Sequence, residues 1–202
     1  MPTGDLAVSV REAFAQLPVP ALTDPARLGA VLPLAGVLGP ATLAYCDEHG
    51  FRPDTREVTA ELPAVHGDLA AFLASVPVDE AEESGLAGIT SPAFVVRAGA
   101  RLVAAAGYQR WPGNVAHVCV LTAPSERGRG HARVVASAAV THSLAGGMLP
   151  QWRARPEPSR RVARTLGFRE LGVQLSIRVR QPAVGSTAGR SHRCGRHPAV
   201  HD

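Results

Sequence analysis

The sequence contains no lysine, and all 21 of its basic residues are arginine. A P-loop needs a lysine for its phosphates, and a Schiff-base enzyme needs a lysine nucleophile, so both classes are excluded. The three cysteines, Cys46, Cys119 and Cys194, are odd in number and widely spaced. They indicate free or buried thiols rather than a disulfide framework or a zinc site, and no metal site is predicted.

Long apolar runs are absent too. No stretch of about 18 apolar residues occurs, so no transmembrane helix and no membrane partner are predicted. The first residues lack a basic segment followed by an apolar one, which leads us to expect a cytoplasmic protein.

Aromatic residues make up only 4% of the chain and no nucleic-acid-binding module is visible. A nucleic-acid partner therefore ranks last, although the net charge is +4 and the last fifty residues are rich in arginine.

The first part of the chain has the weakest pattern. Asp24-Pro25 indicates a helix start, with proline at the first helical position. Gly39-Pro40 is expected to break the following segment, and residues 41–46 fit a short strand or a helix equally well. The role of residues 1–55 stays open.

Residues 56–88 look helical. Asp68 is the predicted N-cap of a helix that Pro77 ends, and a second short helix follows with the acidic segment 79–83. Such a cluster is typical of a solvated helix face, and the alternative is that its carboxylates reach over a substrate cleft.

A β-meander is predicted next. Residues 92–97 and 102–111 read as two strands joined by a tight turn, and Pro112-Gly113-Asn114 is a second turn. Residues 115–122 (VAHVCVLT) complete three antiparallel strands, since their β-branched content favours a strand.

A glycine-rich turn links this third strand to a helix. Gly128 and Gly130 permit backbone angles that other residues avoid, so successive amide N–H groups can converge on one anion. The first turn of the helix adds unpaired N–H groups and the positive end of its dipole. The segment therefore predicts a diphosphate cradle, although Gly-x-Gly beside a helix also occurs by chance.

The remaining elements alternate. Small and apolar residues from Ala132 to Leu144 form one helical stripe, which Gly146-Gly147 ends. A strand over 148–153, a helix over 158–166 and a final strand or hairpin over 170–179 follow. Residues 181–202 have no apolar periodicity and are predicted to be a disordered basic tail.

Two segments resemble motifs of the GNAT superfamily of N-acetyltransferases. The stretch V-x-T-A-P-x-x-R-G-R-G-x-A is similar to motif A, whose core (Q/R)-x-x-G-x-(G/A) falls on Arg127, Gly130 and Ala132. The segment SRRVARTLGFRELG, residues 159–172, is similar to motif B with its Gly-Phe ending. The resemblance covers about residues 90–180, and two motifs in register are more specific than either alone.

The resemblance implies an α/β fold: a mixed, mostly antiparallel sheet with a central splay, flanked by helices. It also implies acetyl-CoA as co-substrate and direct acetyl transfer to a primary amine, on a small molecule or a protein. Residues 1–88 would form the substrate side, residues 89–180 the acetyl-CoA-binding core, and a homodimer is conceivable. The matching cofactor-binding positions are the end of the third strand and the cradle: Val120, Leu121, Thr122, Arg127, Gly128, Arg129, Gly130, His131 and Ala132.

Motif B departs from the family pattern at two positions. The Asn and Tyr that many relatives carry fall on Pro156 and Ala163, so no dedicated general acid is identified. A catalytically degenerate CoA-binding protein, acting as a sensor or structurally, is therefore the alternative. Candidate catalytic residues are His117, Tyr108 and Glu83, each of which could instead have a packing or surface role.

Overall fold

The computed structural model describes residues 4–58 and 60–180. Its strands are β1 Leu34–Tyr45, β2 Ala60–Leu62, β3 Ala93–Ala98, β4 Arg101–Trp111, β5 Val115–Thr122, β6 Leu149–Ala154 and β7 Arg169–Val179. Its α-helices are α1 Gly4–Ala15, α2 Pro25–Val31, α3 Gly67–Ala74, α4 Val78–Ser84, α5 His131–Ala145 and α6 Glu157–Thr165. The predicted tail, residues 181–202 with Cys194, lies outside the described residues.

The seven strands form one sheet in the order β2-β3-β4-β5-β6-β1-β7. All neighbouring strands are antiparallel except β5 and β6, which are parallel. The predicted mixed, mostly antiparallel sheet is therefore confirmed. Within the part of the chain that the structure describes, no helix is long and apolar enough to cross a bilayer.

The sheet splays open between β5 and β6. These two strands pair only from Val115 opposite Leu149 to His117 opposite Gln151. Beyond that point β5 continues to Thr122 on β4, while β6 continues to its end on β1. The second half of β5 therefore pairs with β4 along one edge. Its other edge, which faces β6, makes no strand pairing with β6.

Helices cover both faces of the sheet. One face, here called the α3–α4 face, is covered by α3 and α4, and on it Leu69 and Phe72 of α3 pack against Ala105, Cys119 and Leu121. The opposite face, here called the α5–α6 face, is covered by α5 and α6. The predicted stripe of α5 is buried at Val135, Ala136, Ala139, Val140 and Ser143 and half-buried at Ala132 and Leu144.

The predicted meander is confirmed, and so is the start of α2. Strands β3, β4 and β5 pair in sequence, and β5 has the predicted bounds. Both Gly113 and Asn114 have positive φ, as a tight turn requires. The Asp24 carboxylate accepts a hydrogen bond from the Ala26 N–H, which caps α2.

Gly39-Pro40 does not break its segment. Strand β1 runs through the pair, with an irregular register against β7 between Leu38 and Ala41. Residues 41–45 of the predicted segment 41–46 are therefore strand, and β1 lies between β6 and β7 inside the same sheet as the later strands.

Residues 56–88 are only partly helical. Residues 60–62 form β2 against β3. The predicted Asp68 N-cap is also wrong, because the cap of α3 is His66, whose Nδ1 accepts from the Asp68 N–H at 3.1 Å. The Asp68 carboxylate instead accepts from the Arg97 guanidinium on β3.

Candidate active site between strands β5 and β6

A cleft of about 860 Å³ occupies the splay. Strands β5 and β6 form its floor, α4 lies along one side, and the turn before α5 closes one end together with the first residues of α6. The cleft thus joins the two segments that the sequence analysis singled out, residues 120–132 and the start of the helix in 159–172.

The turn before α5 has the backbone that the sequence predicts. Gly128 has φ +79° and Gly130 has φ +80°, both in the left-handed region. Gly130 is the N-cap of α5, and no side chain caps the helix. The N–H groups of His131 and Ala132 in the first turn therefore have no intrahelical acceptor. All four of these residues line the cleft.

Two residues from an earlier loop hold this turn from behind. The Arg56 guanidinium donates to the carbonyls of Arg129 and Gly130, each at 3.3 Å. Arg56 is itself paired with Asp54, which also accepts from Arg133 of α5. The Asp54 side chain is only 1% exposed, and the Arg56 hydrogen bond holds the pKa of Asp54 far below its ordinary value. Asp54 and Arg56, here called the brace, hold the carbonyls of Arg129 and Gly130 on the outer side of the turn. The N–H groups on the other side of the turn are thus left for a ligand.

The cradle fits a diphosphate in its chemistry. A Cβ added to Gly128 would meet no atom within 4 Å, so the backbone there is open to the cleft. Uncapped N–H groups and the positive end of a 15-residue helix favour an anion at this position.

The arginine side chains around the cradle form ion pairs with nearby carboxylates. Arg127 lines the cleft but forms an ion pair with Glu80 of α4. Arg129 is paired with Glu126 at 3.0 Å and does not line the cleft, so only its backbone belongs to the cradle. The side chain of Glu126 is only 13% exposed.

The end of β5 lines the cleft as predicted. Val120, Leu121 and Thr122 all contribute to its wall. Thr122 carries an anomaly, because its buried Oγ1 has no hydrogen-bond partner among the described residues.

His117 lies in the cleft at the point where β5 and β6 separate. Its Nδ1 is 3.1 Å from the Gln151 Oε1, and the Gln151 amide donates to the Tyr45 hydroxyl at 2.8 Å. Because that Gln151 oxygen can only accept, Nδ1 carries the proton and Nε2 keeps its lone pair. Burial lowers the pKa of His117, and the Trp111 ring stacks on it at 4.2 Å. Burial thus favours the neutral imidazole, which is the form that can accept a proton.

The other two catalytic candidates have different environments. Tyr108 is fully buried on β4, its hydroxyl lies 2.9 Å from the His142 Nδ1, and it does not line the cleft. Tyr108 therefore lies outside the cleft, and its catalytic role stays a prediction. Glu83 does line the cleft, but both of its oxygens are paired with Arg155, at 3.0 and 2.8 Å. We therefore regard Glu83 as a structural group of the cleft wall rather than a free base.

Neither a cysteine nor motif B supplies a further reactive group. Burial raises the pKa of the Cys119 thiol to about 12, so a thiolate nucleophile is disfavoured. Ala163 is buried in the core and Pro156 is the N-cap of α6.

Sequence reasoning missed several residues of the site. Asp54 and Arg56 lie in a loop without pattern, and Tyr45 lies on the strand that could not be assigned. Gln151 meets His117 only through the parallel pairing of β5 and β6. The one available signal was Gln151 itself, a polar residue within the short strand that the sequence predicts over residues 148–153.

Comparisons with known proteins agree with this geometry. Residues 91–172 match the family model of the GNAT acetyltransferase. A GNAT-family protein from Novosphingobium aromaticivorans is 22% identical, with a TM-score of 0.57 over 71% of this chain and 65% of that one. A GNAT-family acetyltransferase from Colwellia psychrerythraea is 13% identical, with a TM-score of 0.54 over 89% and 75% of the two chains.

A GCN5-related N-acetyltransferase from Kribbella flavida is 17% identical, with a TM-score of 0.54 over 70% of this chain and 58% of that one. This chain therefore spans under two thirds of the length of the Novosphingobium and Kribbella proteins. No curated protein matches the chain. At these identities the solved structures show a shared fold, and the family model covers both motifs. Residues 91–172 therefore match the GNAT acetyltransferase family, and the chain shares the fold of solved GNAT-family proteins.

Proposed function

We propose that this protein transfers an acetyl group from acetyl-CoA to a primary amine by direct attack, in the cytoplasm. One observation carries the proposal: the splayed edge of β5, the glycine cradle and His117 all line a single cleft. When bound, acetyl-CoA supplies the acyl group as an activated thioester. Its diphosphate would be held by the N–H groups of residues 128–132, and its arm by the β5 edge at residues 120–122.

The residues of the cleft divide the remaining tasks. Backbone N–H groups on the free edge of β5 supply oxyanion stabilisation where the thioester carbonyl gains charge. His117 Nε2 takes the proton that the acceptor ammonium must lose before its nitrogen can attack. A new C–N bond forms as the C–S bond breaks, and the nitrogen loses its second proton to water as the amide forms. The thiolate leaves unassisted or takes a proton from water, since a thiol pKa near 8.5 makes it a fair leaving group.

Direct attack is favoured over an acyl-enzyme. Cys119 has a strongly raised pKa, and the chain has no lysine. The acceptor amine must therefore attack the thioester itself, with catalysis from positioning and oxyanion stabilisation.

Two measurements test the proposal. Acetyl-CoA should raise the melting temperature, whereas acetyl-pantetheine, which has the thioester but no diphosphate, should raise it far less. Release of free CoA, followed with a thiol reagent over an amine panel, should then depend on both the amine and the protein. No stabilisation by acetyl-CoA would refute the cradle, and stabilisation without amine-dependent release would identify a binder without turnover.

A further inference from the structure

Arg153 lies on β6 in the wall of the cleft. Its neighbours Trp152 and Ala154 are packed into the core on the α5–α6 face. Side chains alternate along a strand, so Arg153 extends to the α3–α4 face, where Gln151 meets His117. Arg153 also lines the cleft.

Arg153 differs in its pairing from three other arginines of the cleft, whereas Arg161, an exposed residue of α6, likewise has no carboxylate partner among the described residues. Arg127, Arg133 and Arg155 each have a carboxylate partner, Glu80, Asp54 and Glu83 respectively. Across residues 4–58 and 60–180, the guanidinium of Arg153 has neither an ion-pair partner nor a hydrogen-bond partner.

The positive charge of Arg153 favours some acceptors over others. Arg153 is close enough to His117 to contribute to the lowering of its pKa, after the larger effect of burial. An acceptor ammonium that approaches the His117 Nε2 therefore meets a like charge, which disfavours an acceptor whose only charge is positive. An anionic group beside the amine would reverse the sign of this interaction and would supply the guanidinium with the two-pronged partner that it prefers.

We propose that the acceptor carries a carboxylate close to its amine, as a free amino acid does, and that Arg153 binds this carboxylate while the amine faces His117. The inference rests on the proposed acetyl transfer. It makes Arg153 a specificity residue, because it contacts a part of the acceptor that does not react.

The test compares matched acceptors. Acetyl transfer is measured as kcat/KM for several L-amino acids, their carboxamides and the corresponding decarboxylated amines, with the wild type and with Arg153→Gln. Loss of a charge-assisted hydrogen bond predicts a fall of about 10- to 100-fold for the amino acids in Arg153→Gln. The carboxamides and plain amines should be unchanged or better substrates. Because the amines differ in basicity, the result is the change in the ratio between acceptors on substitution.

Two further variants sharpen the comparison. Arg153→Lys keeps the charge without the planar fork and should retain part of the preference. Arg101→Gln removes one exposed positive charge at the start of β4, outside the cleft, and should leave the ratio unchanged. If the wild type acetylates plain amines better than amino acids, or if Arg153→Gln leaves the ratio unaltered, the inference is overturned while the proposed transferase stands. If no amine of any kind is acetylated, the proposed function itself fails.

Discussion

Replacing Gly128 by valine is the most direct test of the cradle, because the fold contains a matched control. Gly128 has φ +79° and Gly99 has φ +60°, and a Cβ at either position would meet no atom within 4 Å. Gly128 lines the cleft, whereas Gly99 lies in the turn between β3 and β4. The two substitutions therefore impose the same backbone strain in different places.

The strain should cost both variants a similar amount of stability. A side chain in the left-handed region costs about 1–3 kcal/mol, so we expect each variant to lose about 2 kcal/mol of unfolding free energy in urea. Gly130 is less suitable for this test, because an added Cβ would lie 2.8 Å from the Arg56 Nη2 and would disturb the brace as well.

Only the Gly128→Val variant should lose affinity for CoA. Gly128 lines the cleft, so a valine there should hinder the approach of the diphosphate to the N–H groups of the turn. One lost hydrogen bond to a charged group is worth about 1.5–3 kcal/mol, or roughly a 10- to 100-fold rise in Kd. Isothermal titration of CoA into the wild type, Gly128→Val and Gly99→Val measures this difference. Equal CoA affinity in the two variants would refute the cradle.

Three further substitutions probe the cleft. His117→Ala should lower kcat about 10²- to 10⁴-fold. The wild-type kcat/KM should fall as acid protonates His117, with a midpoint below its ordinary pKa of 6.5, and this limb should vanish in the variant; a limb that persists would contradict a base at this position. Glu80→Gln should release Arg127 and tighten CoA binding about 2- to 5-fold, as for an exposed ion pair, and weaker binding would argue against this competition. Thr122→Val should raise the unfolding free energy by about 1 kcal/mol, because it removes a buried hydroxyl without a partner, and a loss of stability would show that the hydroxyl is satisfied.

Local patterns account for most of the fold that the sequence predicts. The β-branched content of VAHVCVLT predicts β5 with both of its ends, and the Pro-Gly-Asn composition predicts the turn at Gly113-Asn114. The prediction fails where the decisive contact is distant. His66 replaces Asp68 as the cap of α3 because the Asp68 carboxylate is engaged by Arg97, a residue on another strand.

The residues of the candidate site likewise fall into two groups, those set by local sequence and those set by distant contacts. The cradle is contiguous in sequence, so its glycines and first-turn amides could be predicted. The pair of His117 and Gln151 depends on a parallel strand pairing across 34 residues, and the brace joins Arg56 to a turn 74 residues later. Tyr108 was a plausible acid or base by residue type, and its position on the α5–α6 face could be learned only from the structure.

The position of β1 has a consequence for how the molecule can be divided. Strand β1 comes from the first quarter of the chain, yet it pairs with β6 on one side and with β7 on the other. A fragment expressed from residue 89 onward would retain both family motifs but would leave β6 and β7 with exposed, unpaired backbone on the sides where β1 belongs. The smallest autonomous version of this domain is therefore not the stretch that its sequence motifs delimit, and truncation at that boundary should give insoluble protein.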